Sequence, residues 1–264
     1  MIIRCLPQLS RTPSILLDLP PHLLILGKPS GLSAHPSTST HEPSLITDAK
    51  SHVLKTRNTN YATLIGRLDK SVSGVSIIAT SKKAARRLSL LQSTRDPSII
   101  KTYHAIVDLP SAKHNLKLNK PRTLTSVLHP PFDKAPIKLT AASNPLQHNT
   151  KLCSLTFTPL LISSKNALLA VNLHTGRKHQ IRAQLAAINH PISRDNIYNP
   201  SVLPTKTNTL TQIPLHCERI SFDHPVANTS HGRVDVSAPH PAWWKNTWPK
   251  LFDAKDNSKG DGDN

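Results

Sequence analysis

The chain has 264 residues, with 33 lysines and arginines against 15 acidic residues, so its formal net charge is +18. This basic excess indicates a polyanionic partner, and nucleic acid is the default; the alternative is solubility in a lysine-rich composition. The three cysteines form no Cys-x-x-Cys pair, which argues against a disulfide framework or a thiolate zinc site. No apolar run is long enough to span a bilayer, so no membrane partner is expected.

The start of the chain has the composition of a weak targeting segment. Arg4 and Arg11 lie among serine, threonine and leucine, and Asp18 is the only acid in the first twenty residues. We expect residues 1–14 to be an N-terminal extension, and a presequence and a lead-in strand remain alternative interpretations. Residues 15–250 are expected to form a single domain.

Short apolar runs alternate with polar connections through that domain. A buried strand is predicted at residues 23–26, and further strands at 75–79, 99–107, 152–157 and 167–173. Helices are predicted over residues 45–55 and from Ser81 onward, where lysines and arginines lie largely off the apolar face.

Two stretches of the chain lack such periodicity. Residues 109–149, rich in proline, lysine, asparagine and histidine, are expected to be a variable insertion of loops over short strands. Residues 251–264 are expected to be a disordered tail.

A polar loop at residues 66–74 leads into the apolar run at 75–79. Within it Asp69 is flanked by Arg67 and Lys70. Nearby positive charge favours the ionised carboxylate and keeps it available as a nucleophile or base. The alternative is a solvent-exposed loop whose aspartate pairs with its neighbours.

A second motif, Thr-Gly-Arg-Lys-His-Gln-Ile-Arg, stands at residues 175–182. A helix is expected to begin near Arg177 and to bury Ile181 against the sheet. Arg182 and His179 then lie on an adjacent face, where they can point into a cleft.

In this order the two motifs resemble the RluA-type family of pseudouridine synthases. Three further segments are similar to that family: the Lys-Pro turn at residues 28–29, the strand around Tyr103, and the Leu-His strand at residues 215–216. The chain departs from the family pattern at Gly66, where histidine is usual, and at residues 193–195, where Ser-Arg-Asp replaces Leu-Gly-Asp.

The resemblance implies a pseudouridine synthase catalytic fold of the α+β class. Its sheet is mixed but mostly antiparallel, flanked by helices and loops, with an RNA-binding cleft. The implied reaction isomerises uridine to pseudouridine within RNA and needs no redox cofactor, nucleotide or metal. The sequence carries no Rossmann or P-loop signature.

The resemblance also implies roles for individual residues. Asp69 is the catalytic carboxylate, acting on either the ribose or the base, and Arg182 pairs with it. Tyr103 stacks on the uracil and assists proton removal from C5. Arg67 fills the gap left when the target base leaves its stack, with a surface ion pair as its alternative.

Lys28, Arg177 and His179 complete the predicted RNA-binding residues, with Lys28 expected at the surface or at a phosphate. No metal ligands and no cofactor are predicted, and RNA, most simply rRNA, is the expected partner of a monomer. The alternative function is a catalytically inactive RNA-binding or ribosome-assembly factor on the same fold. The compact layout and basic composition favour a fungal-type mitochondrial enzyme that acts on large-subunit rRNA, with cytoplasm or nucleus as alternative locations.

Overall fold

The predicted apolar runs form one large sheet in the computed structural model, which describes residues 12–36, 42–110, 115–131, 136–141, 149–202, 212–226 and 232–253. The strands are β1 (Ser14–Leu19), β2 (Leu23–Lys28), β3 (Thr63–Ile65), β4 (Ser73–Ala79), β5 (Ile100–Asp108), β6 (Arg122–His129), β7 (Lys138–Ala141), β8 (Lys151–Ile162), β9 (Asn166–Leu173), β10 (Leu215–Asp223) and β11 (Arg233–Ser237). The helices are α1 (Leu45–Arg57), α2 (Lys82–Thr94), α3 (Gln180–Ala187), α4 (Trp243–Thr247) and α5 (Pro249–Asp253).

The strand order is β1-β2-β4-β10-β5-β9-β8-β6-β7, with β3 beside β4 and β11 beside β10. Among the described strands every pairing is antiparallel except that of β4 with β10. The prediction of an α+β fold with a mixed, mostly antiparallel sheet is therefore confirmed.

The parallel contact between β4 and β10 depends on one glycine. Gly74 lies opposite Cys217 and has a φ of +117°. A Cβ added there would lie 2.2 Å from the Cys217 carbonyl oxygen, so a residue with a side chain would force the strands apart. Gly74 ends the polar loop at residues 66–74, which is thus anchored at the middle of the sheet.

Alternate residues of the strands face two different helical layers, as the period of two in a strand requires. Ile25 and Ile77 belong to the core shared with α2 and α3, whereas Leu24 and Ile78 pack with α1. Helices α4 and α5 also lie on the α1 side, against Ile106 and others. The sheet therefore separates α2 and α3 from α1, α4 and α5.

Several predicted boundaries differ from the structure. The disordered tail predicted at residues 251–264 was placed too early in the chain, because Leu251 belongs to α5 and is only 1% exposed. Its side chain packs with Trp244, which explains why the chain stays ordered at this point. Residues 254–264 lie outside the described residues, as do residues 1–11.

The expected insertion at residues 109–149 contributes a full strand to the sheet. Strand β6 pairs with β8 from Arg122 to Leu128, and β7 extends this edge. The predicted loops of this segment fall partly on residues 111–114, 132–135 and 142–148, which lie outside the described residues. No helix among the described residues is long and apolar enough to cross a membrane.

Candidate active site

One pocket gathers six of the seven residues that the sequence singled out. It lies beside the loop at residues 66–74 and opens to solvent. Of the twelve residues that line it, these six are Arg67, Asp69, Tyr103, Arg177, His179 and Arg182. Three chain segments far apart in sequence, namely the loop, β5 and the start of α3, therefore meet at a single site.

Lys28 is the seventh residue, and the prediction of a surface or phosphate-contacting role for it is wrong. Its side chain is 2% exposed, and Nζ donates hydrogen bonds to the carbonyls of Pro29 (3.0 Å), Leu32 (2.9 Å) and Lys70 (3.4 Å). Burial lowers the pKa of Lys28 to about 7, although nearby Asp69 opposes the shift. The ammonium ties the turn after β2 to the loop that carries Asp69.

Two further hydrogen bonds connect the same turn to this loop. The Gly31 N–H donates to the Lys70 carbonyl at 2.7 Å, and the Ser30 hydroxyl donates to the Ser71 carbonyl at 2.6 Å. The backbone directly after Asp69 is thus fixed by the Lys-Pro turn. The Lys-Pro turn therefore belongs to the site because it supports the loop that carries Asp69, and this requires no contact between Lys28 and RNA.

Asp69 presents its two carboxylate oxygens to different surroundings. Oδ2 lies 3.4 Å from Arg182 Nη1 and 3.5 Å from His179 Nε2. Oδ1 has no hydrogen-bond partner within the described part of the chain, and the side chain is 31% exposed. The adjacent Lys70 pairs instead with Glu42 at 3.0 Å. The positive charge at Asp69 therefore comes from Arg182 of α3 and from nearby Lys28 rather than from Lys70.

Arg182 is held more firmly by Asp195 than by Asp69. Its Nε and Nη2 donate to the two Asp195 oxygens at 2.7 and 2.8 Å, and the Asp195 side chain is 0% exposed. Burial alone would lower the pKa of Arg182, but the bonds to Asp195 and the proximity of Asp69 outweigh it and raise that pKa. A bidentate pair of this kind fixes the guanidinium plane and leaves Nη1 directed at Asp69.

His179 contacts the carboxylate instead of pointing outward to RNA. It has a left-handed backbone (φ 53°) just before α3, and its Nδ1 lies 3.2 Å from the Tyr198 hydroxyl. That hydroxyl accepts the Ile137 N–H at 2.9 Å, so its own hydrogen is available for Nδ1. In the neutral ring Nε2 then carries the hydrogen and faces Asp69. Burial lowers the pKa of His179, partly opposed by Asp69, which favours this neutral form.

Tyr103 lies on β5, opposite Cys217 of β10, with its ring reaching the pocket wall. The residue is 8% exposed. Burial raises the pKa of Tyr103 well above its usual range, and the neighbouring Cys217 and Asp69 add to the shift. Tyr103 therefore enters any reaction here as a neutral phenol rather than as a phenolate base.

Arg67 and Arg177 line the same pocket. Arg67 is exposed and forms no ion pair or hydrogen bond within the described residues, which disfavours the surface ion pair considered from sequence. Burial lowers the pKa of Arg177, and nearby Arg95 lowers it further. Both guanidinium groups are thus available to a ligand that enters the pocket.

The start of α3 differs from the prediction by three residues. The helix begins at Gln180 rather than near Arg177. The Gln180 amide oxygen accepts hydrogen bonds from the Thr175 hydroxyl (2.7 Å) and the Arg177 N–H (3.1 Å), which holds residues 175–179 in a turn. This turn is what brings His179 to Asp69.

Sequence reasoning missed Asp195, Tyr198 and Gln180 as site residues. Asp195 stood in a segment noted only for its departure from the family pattern, and its spacing from Arg182 does not indicate a contact. Tyr198 carries no signal in sequence beyond its residue type. The described residues contain no cluster of three or more histidine, cysteine or acidic side chains able to hold a metal ion.

The pocket of this basic protein gathers one carboxylate, one tyrosine and three arginines, a combination suited to acid–base chemistry on a polyanionic ligand. Comparison with known proteins makes this chemistry specific. The sequence profile of the RNA pseudouridylate synthase family matches residues 22–187. The chain belongs to this family, and the resemblance to its RluA-type members is confirmed.

Bacterial relatives cover most of the chain. An uncharacterized RNA pseudouridine synthase of Mycoplasma genitalium is 32% identical over 82% of this chain and 63% of its own length. Ribosomal large subunit pseudouridine synthase D of Nitrosomonas europaea is 27% identical over 77% of this chain and 56% of its own length. The chain thus spans roughly three fifths of the length of these relatives.

Two human structures share the fold. Human RNA Pseudouridylate Synthase Domain Containing 4 has a TM-score of 0.69 at 19% identity, covering 90% of this chain and 92% of its own. Human RNA Pseudouridylate Synthase Domain Containing 1 has a TM-score of 0.63 at 17% identity, covering 90% of this chain and 87% of its own. At these identities the likeness supports the fold, in agreement with the expected pseudouridine synthase architecture.

Proposed function

We propose that the protein isomerises a specific uridine in structured RNA to pseudouridine, with Asp69 as the catalytic carboxylate. The observation that carries this proposal is the asymmetry of Asp69, which lines the pocket: Oδ2 faces Arg182 and His179, while Oδ1 has no hydrogen-bond partner among the described residues. A carboxylate held through one oxygen keeps its orientation and presents the other to the substrate. The family membership of the chain supports the same reaction.

The reaction conserves atoms and electrons within the nucleotide. The bond between ribose C1′ and uracil N1 breaks, the base rotates, and a bond from C1′ to C5 forms. The hydrogen of C5 leaves and N1 gains one, so no group is transferred to or from the protein overall. Asp69 Oδ1 acts on the ribose or on the base, and Arg182 holds the carboxylate in place.

The remaining pocket residues would handle the target base. Extracting a base from its stack costs a few kcal/mol, and the vacated position must be stabilised. Arg67 is exposed beside the pocket, and its planar guanidinium suits both stacking and phosphate contact. Tyr103, as a neutral ring in the pocket wall, would lie against the uracil.

We propose that the target lies in large-subunit rRNA, within the mitochondrion. The rRNA assignment is supported by the relatives named ribosomal large subunit pseudouridine synthase D, and the RNA affinity by the net charge of +18. The compartment is supported by the arginine- and serine-containing composition of the first residues.

Pseudouridine mapping of total and mitochondrial RNA tests this function. Cells that lack the chain are compared with cells that carry it, and one large-subunit rRNA site should disappear on removal and return on re-expression. A dependent site in another RNA or compartment would overturn the target while leaving the activity. If no site changed in any RNA, the inactive RNA-binding factor would replace the enzyme.

His179 provides a test of the carboxylate arrangement. We expect His179→Asn to lower kcat roughly tenfold, since one donor to the Asp69 carboxylate is lost across a long 3.5 Å contact. Asparagine tolerates the left-handed backbone of this position but does not reach as far. Tyr198→Phe should lower kcat in the same direction while retaining the ring beneath Arg182.

The measurement is kcat and KM separately, on one RNA substrate. If His179 contacted RNA, as the sequence predicts, His179→Asn would instead raise KM and leave kcat unchanged. That result would contradict the role of His179 at the carboxylate. If Tyr198→Phe left kcat at the parent value, the hydroxyl would have no part in orienting His179.

A further inference from the structure

Helix α2 leads directly back to the active-site pocket. Strand β4 runs away from the loop at residues 66–74, and α2 returns along the same face of the sheet. At the end of α2 the Gln92 side chain lies beside Gly66, where an added Cβ would be 3.0 Å from Gln92 Nε2. The C-terminal end of α2 therefore borders the loop that carries Asp69, and its N-terminal end lies about 20 Å away, given a rise of about 1.5 Å per residue.

The exposed face of α2 carries only positive charge. Lys82, Lys83, Arg86 and Arg87 are all exposed, and the helix contains no acidic residue. Its opposite face is buried through Ala84, Ala85, Leu88 and Leu91. Within the described residues none of the four cations lies within ion-pair distance of a carboxylate. Asp96, just after α2, is close enough to Arg87 for the two charges to interact and lowers the local excess by one charge.

The charge continues from the end of α2 into the pocket. Arg95 caps α2 in a left-handed conformation, and its side chain is close enough to Arg177 to lower the pKa of Arg177 after the effect of burial. Arg177 itself lines the pocket. Two like charges that interact in this way repel each other, and an anion between or beside them offsets the repulsion. The positive surface of α2 is thus continuous with the site that would receive a uridine.

We propose that the α2 basic face, formed by Lys82, Lys83, Arg86 and Arg87, binds the phosphates of the RNA strand that flanks the target uridine. This docking rests on the proposed function, because the pocket defines where the strand must enter. Residues four apart on a helix are spaced about 6 Å along its axis, so Lys82 with Arg86, and Lys83 with Arg87, form two rows of positive charge that can contact successive phosphates. Arg95 and Arg177 would then contact the phosphates between these rows and the flipped nucleotide.

A matched charge-removal experiment tests this surface. The α2 variant replaces Lys82, Lys83, Arg86 and Arg87 with glutamine. The control variant replaces four exposed lysines of the opposite helical layer with glutamine, namely Lys50, Lys55, Lys245 and Lys250. Both lose four positive charges, so a general effect of net charge is the same in each. Thermal unfolding confirms that both remain folded.

Equilibrium binding to a labelled uridine-containing hairpin RNA is then measured over a range of salt concentrations. For the α2 variant we expect roughly a hundredfold weaker binding at low salt and a salt slope smaller by about three, as expected for four lost phosphate contacts. The control should remain within a few-fold of the parent. Equal effects in the two variants, or none in either, would overturn the docking of RNA on α2.

The outcome is separable from that of the proposed function. If the α2 variant binds RNA more weakly but the parent chain forms no pseudouridine, the docking surface is supported and the proposed activity is wrong. If the α2 variant binds RNA normally and the parent chain does form pseudouridine, the docking surface is wrong and the activity stands. An acidic protein as the true occupant of α2 would give this second result.

Discussion

Asp69→Asn is expected to abolish pseudouridine formation, with kcat lower by about 10⁴-fold or more, as for loss of an essential nucleophile or base. Asparagine keeps the size of the side chain but removes the charge and the reactive oxygen. Because the Asp69 side chain is 31% exposed and Arg182 retains Asp195, stability should change by less than about 1 kcal/mol. RNA affinity should remain close to that of the parent.

The activity of this variant is measured by tritium release from RNA labelled at C5 of uridine, since the isomerisation expels that hydrogen. Asp223→Asn is the matched control. Asp223 also pairs with an arginine, Arg233 at 2.9 Å, but it is 66% exposed and lies at the end of β10 remote from the pocket. Tritium release by Asp69→Asn within tenfold of this control would show that the catalytic carboxylate lies elsewhere.

Asp195→Asn is expected to cost about 3–5 kcal/mol of stability, because the buried Arg182 loses its closest, bidentate charge partner and keeps only the longer contact to Asp69. The Asp195 carboxylate accepts hydrogen bonds from the N–H groups of Ile197 and Tyr198, and the amide oxygen of asparagine can still accept them. The loss therefore reports on the ion pair. Activity should also fall steeply, because Arg182 no longer has a fixed orientation toward Asp69.

The Arg219–Asp235 pair supplies a control with the same bidentate geometry at the surface. Arg219 and Asp235 are 54% and 39% exposed, so Asp235→Asn should cost less than about 1 kcal/mol. Chemical denaturation of both variants gives the comparison. Similar costs in the two would refute a structural role for the buried pair.

A double variant separates stability from catalysis at the same pair. Combining Arg182→Met with Asp195→Asn removes the isolated charge, so part of the lost stability should return. Activity should not return, because no cation then holds Asp69 from α3. Recovery of activity together with stability would mean that Arg182 serves folding alone.

Local sequence patterns predicted most elements of the fold correctly. The helix expected at residues 45–55 is α1, and the alternating runs around Tyr103 and at 167–173 are β5 and β9. These succeed because the period of an element and its capping residue, such as Ser44 or Ser81, are local properties. Residue chemistry also indicated Asp69, which stands between two cations, and helical spacing directed Arg182 and His179 toward a cleft. Tyr103, by contrast, was indicated only by the resemblance to the family.

The tertiary structure decided what these residues contact. A lysine in a Lys-Pro turn is expected at the surface, but three backbone carbonyls, 1 to 42 residues away in the chain, accept hydrogen bonds from the Lys28 ammonium. Asp195 holds Arg182, and Tyr198 orients His179, through contacts that no local period encodes. The sequence by itself thus determined the elements and the chemical groups of the site, because both depend on neighbouring residues. The sequence does not specify which oxygen of Asp69 is held by Arg182 and His179. That arrangement requires distant segments of the chain to come together across the sheet, which happens only in the folded protein.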